Sequence, residues 1–335
     1  VPKLASLGIQ NVIAEHVLHL VTVRRCAART GMIRPKSGTN QAALARGRHR
    51  FTIPIMHRRP WGSTGQQVPV IGQGTWRSDE ADRAQAVAAL RLGLDLGMTH
   101  IDTAEMYGAG EAERIIGEAI AGRREQVFLV SKVLPENATR SGTRAACERS
   151  LKRLKTDHLD GYLLHWRGQH PLEETLAGFE DLLSAGKIRS WGVSNFDVPD
   201  LEDLHALQPQ LRCACNQVLY HLQQREVEHG VLPWCERHQI TVVAYSPFGH
   251  GRFPSADSAP GQLLGRIAAA HRATPRQIAL AFLTRSAWVA TIPKASSSEH
   301  AAQNAAAGDL QLSERELREL DAAFPLGRSK RLPTL

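Results

Sequence analysis

Residues 98–132 read MTHIDTAEMYGAGEAERIIGEAIAGRREQVFLVSK. MTHIDT, at 98–103, has the brevity and apolar flanks of a buried strand. EAERIIGEAIAG, at 111–122, carries apolar residues at helical spacing, and VFLVSK, at 127–132, is a second strand. A strand, a helix and another strand in so short a span place the two strands parallel in one sheet. Between the first strand and its helix sit an acid, Asp102, and a phenol, Tyr107. Taken alone, such a fragment reads as an ordinary polar loop more readily than as a site.

The same alternation continues in both directions. Upstream, VPVIGQGTW (68–76) reads as a short hairpin leading into a first strand, followed by a helix that stops at Gly97. Downstream come strands at LDGYLLHW (159–166), IRSWGVSN (188–195), CACNQVLY (213–220), ITVVAYSPF (240–248) and WVATIPK (288–294), with amphipathic segments between them. Helical cover begins at Gly261 after the seventh strand, and two more helical segments follow the eighth. Eight strand–helix units in about 260 residues predict an α/β fold, a closed (β/α)8 TIM barrel with a short N-terminal β-hairpin. The rival is a doubly wound nucleotide fold, which wants G-x-G-x-x-G at the first turn. Gly72-Gln73-Gly74 supplies only a G-x-G, better explained by the hairpin.

The 335 residues carry a net charge of +8. Residues 1–55 hold nine Lys or Arg and one acid, Glu15, so the excess lies there and the rest is balanced. A neutral body offers no electrostatic footprint for nucleic acid. Organised patterning starts near Met56. Residues 1–55 therefore read as a disordered basic extension or an over-extended gene start with Met56 as the initiator, and 56–335 as the barrel domain. No apolar run has the length of a membrane span. Five scattered cysteines read as free thiols of a reducing, cytoplasmic compartment.

In a (β/α)8 barrel the site is built at the carboxyl ends of the strands. The exits carry Asp102, then Ser131-Lys132, His165-Trp166, Ser194-Asn195, Asn216-Gln217, Tyr245-Ser246-Pro247 and Pro293-Lys294. Each has a bland reading singly: a solvated strand end for Lys132, a core histidine for His165. An acid, a phenol, a lysine and an imidazole at successive exits together suggest a site where neighbours tune a general acid.

These motifs, with DTAEMYG, VSK, LLHW, GKIRSWGVSNF, CNQVLYH, VVAYSPF and IPKASS in order over roughly residues 60–325, resemble the aldo-keto reductase superfamily. The likeness is strongest to a bacterial subgroup that includes methylglyoxal reductases. It implies NAD(P)H-dependent reduction of small aldehydes and 2-oxoaldehydes to alcohols, with no metal. Tyr107 would be the general acid, its pKa lowered by Lys132. Asp102 would hold that lysine, and His165 would orient the carbonyl. Ser194, Asn195 and Gln217 would hold the nicotinamide carboxamide and Tyr245 would stack on its ring. Ser246 and Pro247 begin the pyrophosphate cover. Lys294, Ser296, Ser297, His300 and Asn304 would surround the adenosine phosphate. His300 stands where many members have arginine, so NADPH is expected with NADH possible. Trp76 and Trp166 would line the substrate entrance. The resemblance also implies a monomer whose partner is a small carbonyl compound. Its alternative is a cofactor-binding regulatory subunit with little turnover; a nucleic-acid-binding basic arm is a third reading.

Overall fold

The computed structural model describes residues 56–334 apart from 211 and 329. The expectation for residues 1–55 lies outside the described residues. An antiparallel hairpin comes first, β1 (Arg58–Pro60) against β2 (Gln67–Pro69). Its first arm lies upstream of the stretch the sequence suggested, because three residues, Arg-Arg-Pro, leave no alternation to read. VPVIGQGTW instead supplies the end of the second arm and the first barrel strand, β3 (Gln73–Gly74).

The remaining strands are β4 (His100–Asp102), β5 (Phe128–Val133), β6 (Gly161–Leu164), β7 (Trp191–Ser194), β8 (Cys213–Leu219), β9 (Thr241–Tyr245) and β10 (Val289–Thr291). They pair in chain order, all parallel, from β3 to β10. Closure comes from parallel bridges Ile71–Thr291 and Gly74–Lys294. Gly72 N donates to Thr291 O at 2.7 Å, and Thr291 N to Val70 O at 2.9 Å. The ring is complete, as expected of eight strand–helix units.

The α-helices are α1 (Arg83–Asp95), α2 (Glu111–Ala119), α3 (Arg140–Leu154), α4 (Leu172–Ser184), α5 (Val198–Leu207), α6 (Val231–Arg237), α7 (Ala259–Ala270) and α8 (Pro275–Leu283) between strands, and α9 (Ser298–Ala305) and α10 (Glu314–Ala323) after β10. Starts are marked by side-chain caps: Asp82 accepts from Gln85 N, Thr139 from Gly142 N and Ser258 from Gly261 N. The cover that begins near Gly261 is two helices. Thr274 and Gln277 form a reciprocal capping box with Pro275 at the first helical position, which restarts the chain as α8.

The hairpin seals the amino-terminal end of the barrel. Trp61 is fully buried, donates from Nε1 to Ser190 Oγ at 2.8 Å, and packs edge-on against His100 and Phe128. Gly62 follows with φ +56°, and a Cβ there would lie 2.6 Å from the Ala214 backbone, so the turn requires glycine. With this end closed, the carboxyl ends of the strands are left to form the opening. Among the described residues no helix is long and apolar enough to cross a membrane. The four cysteines there, Cys147, Cys213, Cys215 and Cys235, are free and buried.

Candidate active site

Three consecutive strands bring the ionisable groups together. Asp102 ends β4, Lys132 is the fifth residue of β5, and His165 follows β6. Lys132 has no solvent exposure. Its Nζ donates to Asp102 Oδ1 at 2.6 Å, to Thr103 O at 2.8 Å and to Tyr107 OH at 3.2 Å. All three ammonium hydrogens thus have acceptors, and the lysine is held as a bridge between acid and phenol. The Tyr107 ring meets the His165 ring edge-on, 5.7 Å between centroids. A buried cation thus joins the acid of DTAEMYG (102–108) to its phenol.

Burial sets the proton affinities. Asp102 is pushed up by burial and pulled back by Lys132. Burial works against the charge of Lys132, yet Asp102 and Tyr107 together raise its pKa, so it stays a cation. Lys132 does lower the phenol's pKa, as expected, but it does not set the net shift. Burial raises the Tyr107 pKa above 10, and Lys132 opposes this only in part because Asp102 counters it. His165 is pushed down to about 2 by burial and by Lys132, so it is a neutral imidazole. Its Nδ1 is buried without a hydrogen-bond partner among the described residues.

A cavity of about 300 Å³ opens here. It is lined by Asp102, Tyr107, His165, Trp76 and Trp166, and by Ser194, Asn195, Gln217, Tyr245, Ser246, Pro247 and Lys294. Ser194 Oγ donates to Gln217 O at 2.8 Å. Asn195 Nδ2 donates to His165 O at 3.0 Å, and Asn195 Oδ1 accepts from Tyr245 OH at 2.9 Å. Asn195 at φ +61° and Ser246 at φ +49° hold left-handed conformations, strain of the kind that gathers at functional sites. Gln217 does more than expected: its Nε2 donates to Asp102 Oδ2 at 2.7 Å, tying β8 to the buried ion pair.

Four of the expected residues, Ser296, Ser297, His300 and Asn304, stand outside the lining. Ser297 caps α9 by accepting from His300 N at 3.3 Å, and Asn304 is buried on that helix. Lys294 lines the cavity and has no carboxylate partner among the described residues. A cation without a counter-charge, three residues before a helix amino terminus, suits a phosphate group, so the residues present fit a phosphorylated dinucleotide. Sequence reasoning missed Arg77, Met106 and His250. His250 packs on Trp76 at 4.7 Å across the mouth, and the guanidinium of Arg77 lies 5.0 Å from the same indole. The available signal was Gly249-His250-Gly251, a tight turn whose three residues all have positive φ.

The profile of the Aldo/keto reductase family matches residues 70–324. The chain belongs to this family. Its relatives include methylglyoxal reductase YeaE of Escherichia coli, 48% identical over 78% of this chain and 93% of that protein. Glyoxal reductase of Bacillus subtilis is 32% identical over 77% of this chain and 90% of that protein. An aldo/keto reductase from Klebsiella pneumoniae, solved in complex with NADP and acetate, is 47% identical with a TM-score of 0.79, over 83% of this chain and 99% of that one. Family membership makes the chain an oxidoreductase and its fold a (β/α)8 barrel of the aldo/keto reductase kind.

Proposed function

We propose that this protein reduces small aldehydes and 2-oxoaldehydes of the methylglyoxal kind to alcohols with NADPH. The observation that carries the reading is Lys132 Nζ held between Asp102 Oδ1 and Tyr107 OH beside a neutral His165. Reduced nicotinamide, when bound, supplies the hydride, which no side chain can. Tyr107, whose raised pKa keeps its proton in place at neutral pH, donates that proton to the carbonyl oxygen. Lys132 then steadies the phenolate left behind, and neutral His165 donates a hydrogen bond to the same oxygen. Asp102 and Gln217 keep the lysine from drifting.

Ser194, Asn195, Gln217 and Tyr245 are the proposed nicotinamide side of the mouth. Ser246 and Pro247 are the proposed pyrophosphate cover. Lys294, Ser296, Ser297, His300 and Asn304 are the proposed adenosine-phosphate side. Trp76 and Trp166, with Met106, form an apolar rim over a polar floor, which fits a small carbonyl compound. The named activities of the E. coli and B. subtilis relatives favour dicarbonyl substrates.

The test follows NADPH absorbance with methylglyoxal, glyoxal and a panel of small aldehydes. Consumption with methylglyoxal among the preferred substrates supports the reading. Tight NADPH binding with no turnover on the whole panel contradicts it and favours the regulatory alternative.

A further inference from the structure

A second cavity, of about 320 Å³, lies at the sealed end of the barrel, away from the catalytic mouth. Its walls come from the flanks of the hairpin, the carboxyl end of α8 and the segment joining α9 to α10. Two arginines line it, Arg59 and Arg285, and no Asp or Glu does among the described residues.

The two arginines differ. Arg285 is answered by Glu228, 2.8 Å away, and stacks over Phe282. Arg59 has no carboxylate within ion-pair reach among the described residues. Its Nη2 donates to Thr284 O at 2.9 Å and its Nη1 to Arg58 O at 3.3 Å, while Nε is buried with no acceptor. Burial works against its charge. The carbonyl at the end of α8 offsets part of that charge, as a cation at a helix carboxyl terminus does. A guanidinium that is half desolvated and meets only carbonyls remains under-compensated. Beside it the cavity is apolar along Val70, Leu310 and Leu312, and Gln311 stands exposed at the rim.

We propose that this cavity binds a small organic anion, with a carboxylate or phosphate on Arg59 and a short apolar body against Val70 and Leu312. The guanidinium fork is suited to either head group, and the volume is at the small end of ligand sites. This site is separate from the catalytic mouth and does not rest on the proposed reaction.

Thermal unfolding of the full chain tests it. NADP+ is kept saturating to occupy the anion-binding mouth, and sodium phosphate, acetate and butyrate are compared with sodium chloride at equal ionic strength. The wild type is expected to gain about 2–4 °C in Tm with butyrate or phosphate, the shift of a ligand at several times its Kd. Butyrate should exceed acetate, since only the longer chain reaches the apolar wall. Arg59→Gln and Gln311→Glu should abolish the response. The second adds a carboxylate to the cavity lining from an exposed position, so it decides the matter even if the first variant folds poorly. No rise in the wild type overturns the proposal. A rise of the same size in Gln311→Glu also overturns it, because a general salt effect does not depend on the cavity.

Discussion

At the residue scale, the candidate site works by burial rather than by charge alone. Lys132 was expected to make the phenol more acidic. Its charge is largely committed to Asp102, and desolvation of Tyr107 prevails. The pH profile follows. With Tyr107 raised above 10, the rate of carbonyl reduction has no tyrosine limb between pH 6 and 9, and it falls only in stronger alkali. Measuring kcat/KM across that range checks this; a fall in rate near neutrality that disappears in Tyr107→Phe would contradict it. Removing the lysine has a structural cost as well. Lys132→Met leaves Asp102 buried without its counter-ion, a loss of about 3–5 kcal/mol of stability that denaturant melts would show. The identities of these residues were legible in the sequence because barrel exits are countable. Their proton affinities were not, because desolvation belongs to the packed structure.

At the element scale, closure of the barrel depends on very short strands. β3 has two residues, and a Cβ on Gly74 would fall 2.5 Å from Ile292 O across the closing seam. Gly74→Ala should therefore separate β3 from β10, cost about 1–3 kcal/mol, and weaken NADPH binding through the neighbouring Lys294 bridge. Urea melts and cofactor titration measure both effects, and a variant as stable as wild type would refute the seam argument. Most elements were readable from periodicity; the helical reading of EAERIIGEAIAG (111–122) covers α2, which runs Glu111–Ala119. The first hairpin arm was not, since Arg58–Pro60 has no period to detect. The division between α7 and α8 was available in Thr274-Pro275-Arg276-Gln277, a cap and proline start that marks a new helix.

At the scale of the whole molecule, two buried histidines link stability to pH. His100 sits under the hairpin with its pKa pushed down to about 3 by burial and Lys132, and His165 lies at the mouth at about 2. Both are depressed from 6.5, so the unfolded chain takes up protons that the folded one refuses. Their stabilisation is complete above pH 6.5 and is lost as pH falls toward the folded values, at up to about 1.4 kcal/mol per pH unit for each. His100→Leu, which also removes two buried ring nitrogens without partners, should lessen the loss between pH 6.5 and 4.5. An equal acid loss in both proteins would count against it. The overall architecture was readable from the eight-fold alternation. Which loop residues cross the mouth, such as His250 over Trp76, was not, because that contact joins segments far apart in the chain.

Everything proposed for the mouth of the barrel turns on Tyr107 as the proton donor of a carbonyl reductase. The most direct measurement is turnover of Tyr107→Phe with methylglyoxal, alongside its NADPH affinity. The ring is kept and the proton removed. Loss of the proton donor should lower kcat by about 10²–10⁴-fold with NADPH binding little changed. A variant that turns over within a few-fold of wild type, with binding intact, would contradict it.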